Sequence, residues 1–331
     1  KERILKVVIT GATGFIAQHI INELLSHDHS VRGTVRNIDS ADIANTPLEN
    51  IELVEANLLE DDGWDKAFEG VDAVFHTASP VLMDVTEDEL IGPAVEGTQR
   101  VLKAASKAGV KRIVLTSSTA AIVNTDADVF TEAQWSEPDK CSPYPKSKTL
   151  AEKTAWDFIA SLPEDDRPEL VTCNPCVVFG PVLSNKVSSS LTIIQKLMER
   201  SMPAVPGIGF SIVDVRDVAI AHRLALETPE AAGNRYLLMS EFYWLKDIAH
   251  LLSDTFKAQG FKPPTMRIPY PILWLVAQFN PMAKSVLNDV GKQTILDASK
   301  AKTELGWQPR QVKNSIIESA QSMVDRKLIK P

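Results

Sequence analysis

Tyr144 and Lys148 stand four residues apart in the stretch Ser142-Pro-Tyr-Pro-Lys-Ser-Lys-Thr-Leu-Ala-Glu-Lys153. On a helix this spacing puts both side chains on one face, one turn apart. Ser142 suits an N-cap, Pro143 then falls at the first helical position, and Pro145 stays within the first turn. An ammonium within about 4 Å of a phenol, in a partly buried site, is worth roughly 4 kcal/mol at an effective dielectric of 20. That is enough to draw a phenol from about 10 towards neutrality. Such a phenol can protonate a carbonyl oxygen, or take a proton from an alcohol, near neutral pH. Taken alone, the pair also fits an ordinary amphipathic helix, and two further stretches decide between these readings.

The first is Gly11-Ala12-Thr13-Gly14-Phe15-Ile16-Ala17. It follows an apolar, β-branched run over 4–10 and precedes the helical pattern of Ile20, Ile21, Leu24 and Leu25. Strand, glycine turn, helix is the setting in which such a motif cradles a pyrophosphate. Gly11 permits the tight turn, Gly14 lets the phosphate approach the backbone, and Ala17 keeps the helix close to the strand. The second stretch is the strand over 30–36, where a dinucleotide fold reads the adenosine ribose at the strand end. No acid stands in this strand. Arg36, preceded by Arg32, can stack on adenine and pair with a 2′-phosphate, which favours NADP.

These residues need a scaffold. Strands are expected at 51–55, 71–76 and 111–117, and helices at 62–69 and 87–108, the latter closed by Gly109. The alternation predicts an α/β fold of the Rossmann type, a doubly wound parallel sheet with ligands beyond the carboxyl ends of its strands. Those ends carry Gly11, Arg36, Asn57, Thr77-Ala78-Ser79, Ser118 and Asn174-Pro175. A hydroxyl in Thr116-Ser117-Ser118 can hold a substrate oxygen beside the phenol. Beyond about 180 the alternation loosens into a helix over 187–200, a strand passing into a helix over 211–222, a strand over 234–238 and mostly helical chain from 243. The expected division is a dinucleotide-binding domain over 1–179 and 213–238, and a smaller, mostly helical substrate-binding lobe over 180–212 and 239–331.

Composition sets the bounds. The 331 residues are 44% hydrophobic and 24% charged, as in ordinary globular proteins. A net charge of −8 argues against a nucleic-acid surface. No apolar run reaches the roughly 18 residues of a membrane span. Lys1-Glu2-Arg3 leads straight into an apolar strand without a signal-peptide pattern. The absence of an initial Met suggests trimming. Three cysteines, Cys141, Cys173 and Cys176, suggest reduced thiols in a cytoplasmic protein. Cys173 and Cys176 have redox-motif spacing but read as buried strand-end thiols. The six histidines show no ligand spacing, and no metal site is expected.

Taken together, these pieces resemble the extended short-chain dehydrogenase/reductases, most closely the dihydroflavonol-reductase-like group with the fungal and bacterial aldehyde and ketone reductases. The resemblance also rests on Phe75-His76-Thr77-Ala78-Ser79-Pro80, Val213-Asp214-Val215-Arg216-Asp217-Val218-Ala219 and Glu304-Leu305-Gly306-Trp307, and it spans nearly the whole chain. It implies a catalytic triad of Ser118, Tyr144 and Lys148, with Ser117 as the alternative serine. It also implies that Lys148 and Tyr144 touch the nicotinamide end of NADP(H), while Gly11, Thr13, Gly14, Phe15 and Ile16 cradle the pyrophosphate. Arg36 would take the 2′-phosphate, and Asn57 with Leu58 would lie near the adenine. Thr77, Ala78 and Ser79 would line the cofactor. Pro175 and Val178 would flank the nicotinamide, with Ser190 nearby.

Three departures from the family pattern stand out. Asn57 replaces the usual Asp, no second base follows Arg36 (Asp39 and Ile43 stand there), and the segment after Ser118 does not reproduce a flavonoid pocket. The implied activity is an NADPH-dependent carbonyl reductase using the pro-S hydride on a small hydrophobic or aromatic aldehyde or ketone. Expected pocket walls are Val81, Leu82, Phe130, Val182, Leu183 and part of 270–288. Asp84 and Trp135 are left unassigned, and the chain would be a monomer or homodimer without nucleic-acid or membrane partners. The alternatives are an NAD-dependent nucleotide-sugar epimerase or dehydratase, a 3β-hydroxysteroid-type dehydrogenase, and a dinucleotide-sensing regulator without turnover.

Overall fold

Short apolar strands joined through helices can bury both faces of a sheet only if the helices cross over it in the same sense. The computed structural model describes residues 4–79 and 87–331, and there the chain follows this plan. In chain order the elements begin with β1 (Lys6–Thr10), α1 (Phe15–Leu25), β2 (Ser30–Val35), β3 (Glu52–Glu55), α2 (Trp64–Phe68), β4 (Ala73–His76) and α3 (Glu87–Lys107). They continue with β5 (Arg112–Thr116), α4 (Pro143–Ser161), β6 (Glu169–Pro175), β7 (Val177–Phe179), α5 (Thr192–Met198), β8 (Gly209–Asp214) and α6 (Val215–Glu227). The last are β9 (Arg235–Leu238), β10 (Glu241–Trp244), α7 (Leu245–Phe256), α8 (Tyr270–Ala277), α9 (Pro281–Ser285), α10 (Ser299–Glu304) and α11 (Val312–Asp325).

The chain divides into two units. The first gathers the described residues up to Cys176 with 215–238 and 296–308. Its seven strands run in the order β3-β2-β1-β4-β5-β6-β9, every pair parallel. The order reverses between β2 and β4 on either side of β1, which opens a crevice at the carboxyl ends of these strands. On one face of the sheet, Val8, Val74, Ile113, Leu115 and Leu170 pack with Trp64, Phe68, Val101 and Leu102 into one buried cluster. α3 and α4 lie side by side on this face, with Ala155 of α4 in the same cluster.

The second unit comprises 177–214, 239–295 and 309–331. It is less helical than expected, because it holds a three-stranded sheet in the order β10-β8-β7. β8 runs parallel to β7 and antiparallel to β10. Here α11 secures the chain after β7: Ser319 Oγ accepts from Gly180 N at 2.7 Å and Ser322 Oγ from Val182 N at 2.9 Å. The segment 296–308, expected in the smaller lobe, belongs to the first unit. Its helix α10 packs on β9, where the Tyr236 hydroxyl donates to Glu304 at 3.0 Å.

Candidate active site

The glycine turn closes β1 as the sequence requires. Gly11 has φ +67°, and a Cβ there would come 3.0 Å from that of Ala78. Both the backbone angle and the close approach demand glycine. Gly11 N donates to Thr34 Oγ1 and Ala12 N to Thr34 O, which ties the turn to β2. Gly14 is the N-cap of α1 and offers no side-chain cap, which leaves the positive end of the helix available to an anion. Thr13, Gly14, Phe15 and Ile16 are all at least partly accessible, whereas Ala17 is buried. Across the turn, Thr77 Oγ1 donates to Thr10 O, and Ala78 N donates to Thr10 Oγ1 at 3.1 Å. Thr77, Ala78 and Ser79 therefore stand beside Gly11 at the crevice. Pro80, Val81, Leu82 and Asp84 lie outside the described residues.

At the next strand end the two arginines part. Arg32 is buried: its Nε donates to Glu52, and its Nη1 to the carbonyls of Lys66, Ala67 and Glu69. Arg36, the first residue beyond β2, is exposed. Beside it Glu55 is engaged by Ile38 N at 2.8 Å. A cationic side chain with no acid in β2 and an uncapped helix start suit a dinucleotide carrying a 2′-phosphate. Asn57 is tied into its own turn, with Oδ1 accepting from Leu59 N and Nδ2 donating to Glu60. The adjacent Leu58 packs on Gly97 of α3.

α4 starts with Ser142 as N-cap and Pro143 at N1, although the Ser142 side chain makes no capping bond. This sets Tyr144 and Lys148 one turn apart, with Lys148 Nζ 6.0 Å from the Tyr144 ring centroid. The Tyr144 ring is 41% exposed. Ser118 caps a 3₁₀ turn after β5, its Oγ accepting from Ala120 N at 3.1 Å, and its hydroxyl lies near enough to the Tyr144 phenol to act on its charge. Ser117 points the other way, into the Glu152 carboxylate. The structure thus brings Ser118, Tyr144 and Lys148 together and leaves Ser117 behind them.

One expectation is corrected. Burial of its hydroxyl raises the Tyr144 phenol above its usual value, and the neighbouring Ser118 hydroxyl opposes the rise. Lys148, at its distance from the ring, does not pull the phenol down. Lys148 itself is lowered to about 8 by burial, against the opposing charge of Glu152. The phenol therefore holds its proton at neutral pH.

Of the other candidates, Pro175 is buried at the end of β6. In the second unit Ser190 Oγ donates to Val178 O at 2.7 Å, and Val178 is 6% exposed. Phe130 is buried in the first unit, its backbone paired with Leu296. Val182 is buried beside α11, and Leu183 is half-buried. Within 270–288, Tyr270, Ile272, Trp274, Leu275 and Phe279 are all more than half exposed. Cys173 and Cys176 are buried and form no disulfide. Among the described residues no cluster of His, Cys, Asp or Glu could hold a metal ion, and no helix is long and apolar enough to cross a membrane.

Sequence reasoning missed what lies behind the triad. Glu152 accepts from Ser117, Thr172, Asn174, Trp156 and Arg235. Arg235 lies 3.7 Å from the centroid of the Trp135 ring. Two signals were present: Glu152 is one turn beyond Lys148 on α4, and Thr172 and Asn174 interrupt an apolar strand.

Residues 8–267 match the model of the 3-beta hydroxysteroid dehydrogenase/isomerase family. The chain is 39% identical to "Cinnamoyl-CoA reductase 1" of Petunia hybrida over 265 residues, 76% of this chain and 77% of the relative. It is 30% identical to the "NADPH-dependent methylglyoxal reductase GRE2" of Saccharomyces cerevisiae, over 97% of this chain and 98% of the relative. The solved structure of yeast methylglyoxal/isovaleraldehyde reductase Gre2 complexed with NADPH superposes with a TM-score of 0.79 at 28% identity, over 98% of this chain and 99% of that one. With a reversed-order parallel sheet, a glycine turn at its crevice and this family match over most of its length, the chain belongs to the 3-beta hydroxysteroid dehydrogenase/isomerase family, within the extended short-chain dehydrogenase/reductases and beside their dihydroflavonol-reductase-like members.

Proposed function

We propose that the protein is an NADPH-dependent carbonyl reductase that converts a small hydrophobic or aromatic aldehyde or ketone into an alcohol. The observation that carries this reading is the phenol of Tyr144 beside the Ser118 hydroxyl, with the Lys148 ammonium one turn away. The relatives' names, which specify NADPH-dependent or carbonyl-reducing enzymes, support the same class. NADPH, when bound, supplies the hydride. Ser118 holds the carbonyl oxygen, and Tyr144 donates its proton to that oxygen as negative charge develops there. Lys148, still a cation below about pH 8, holds the nicotinamide ribose. Gly11 to Ile16 carry the pyrophosphate on the start of α1, and Arg36 selects the 2′-phosphate.

The test is oxidation of NADPH and NADH by the purified protein with a panel of small, aromatic and bulky carbonyl compounds, with Tyr144→Phe alongside. Turnover that prefers NADPH and falls by roughly 10²–10⁴ in the variant is the expected result. Turnover unchanged in Tyr144→Phe, or absent with every carbonyl, would overturn the assignment.

A further inference from the structure

We propose that Glu152 is a positioning residue of this site: its sealed carboxylate, clamped by Arg235, fixes the backbone at Ser118 and sets the charge around Lys148. This inference rests on the reductase reading above.

Glu152 has no exposed side-chain surface, and Arg235 is nearly as buried. Sealing two charges costs several kcal/mol each, and well-packed apolar residues would often hold a core as firmly. A purely structural account therefore gives little reason for the pair. Its connections supply one. Glu152 accepts from Ser117 Oγ, the residue before Ser118, and from Asn174 Nδ2 at 2.8 Å. The same Asn174 Nδ2 donates to the Ser118 carbonyl at 3.2 Å, and Asn174 precedes Pro175. The chain is thus held on both sides of the Ser118 hydroxyl by one carboxylate.

Arg235 keeps that carboxylate still. Its Nε lies 2.7 Å from Glu152 Oε1, its Nη1 donates to the carbonyls of Glu132 and Gln134, and its plane stacks on Trp135. Lys153 approaches the same indole ring at 5.4 Å. The second connection is electrostatic. Lys148 is faced by Tyr144 and Glu152 from its own helix and by His76 from β4. His76 is fully buried and held neutral, so Glu152 is the anion in this set that favours the Lys148 cation. Cys173 of β6 also faces Glu152, and burial with that carboxylate keeps its thiol protonated.

The experiment compares wild type with Glu152→Gln and with Glu152→Gln/Arg235→Gln, which leaves no unpaired guanidinium in the core. Circular dichroism checks the fold. NADPH affinity is then measured from pH 6 to 9.5, and kcat is measured on the best carbonyl of the panel. The expected result is a folded variant whose alkaline loss of NADPH affinity begins about one pH unit lower, a tenfold change near pH 8, with kcat down about tenfold. A folded variant with wild-type pH dependence and kcat would reduce Glu152 to packing and overturn the proposal. Should both variants fail to fold, Asn174→Ala cuts the link to the Ser118 carbonyl without removing a charge. A several-fold fall in kcat with an unmoved pH profile supports the proposal, and an unchanged kcat overturns it. If wild type reduces no carbonyl, the reductase reading fails, while the pH dependence of NADPH binding still decides the charge link.

Discussion

Ser117 and Ser118 are neighbours with opposite surroundings. Ser117 is 6% exposed and bonded into the buried Glu152 network, while Ser118 faces the crevice and the Tyr144 phenol. Arg32 and Arg36 repeat the contrast at the other strand end, one capping carbonyls beneath the sheet edge and one free to reach a ligand. Adjacent residues at a strand end point to opposite sides, which separates Ser117 from Ser118, whereas Arg32 and Arg36 part because one lies within β2 and the other beyond its end. The crevice side carries chemistry, and the layer behind it holds that chemistry in place.

The serines give the sharpest way to break this contrast. Ser118→Ala should lower kcat/KM by about 10²-fold with the thermal midpoint nearly unchanged. Ser117→Ala should lose about 1–2 kcal/mol of stability in urea titration, with only a several-fold loss of rate. Equal kinetic losses in the two variants would erase the distinction. The arginines come next. Arg36→Ala should weaken NADPH binding by roughly 10- to 100-fold through loss of a charge-assisted contact, with NADH binding and stability unaffected. Arg32→Ala should cost about 2 kcal/mol of stability and leave the NADPH-to-NADH ratio alone.

A last test separates the two layers by pH. His76 and His222 are buried neutral, lowered by burial to about 3 and about 4. Their folded values lie below the unfolded one, so the unfolded chain takes up more protons between them. The histidine contribution to stability is complete above about pH 6.5 and falls as the solution is acidified towards 4. Lys148, at about 8, also lies below its unfolded value, so its contribution to stability rises from pH 8 upward. Urea midpoints should therefore drop on the acid side, while NADPH affinity fades on the alkaline side without unfolding. Parallel loss of both above pH 8 would sink this separation.

Much of the first unit was legible. Its strands are apolar runs bounded by turns, and Gly11, Arg36 and Tyr144 sit in local patterns that need no distant information. The second unit was harder. Phe242, Tyr243 and Trp244 form β10 only because β8 lies alongside, a pairing no local pattern announces. The 296–308 segment joins the first unit through contacts of α10 with β9, far away in sequence. Glu152 and Arg235 are 83 residues apart and read singly as surface charges. The phenol shift depended on the balance of burial against distance, and spacing supplies neither quantity.

The cysteines have a practical consequence. Cys173 and Cys176 are sealed, whereas Cys141 is partly open, with its Sγ donating to Glu137 O and its thiol pushed up by burial. A maleimide dye would meet one slow thiol in the native protein and three after denaturation. That single label would ride on the residue before the α4 cap, three positions from Tyr144, so the unaltered chain carries its own attachment point for a fluorophore reporting on ligand arrival.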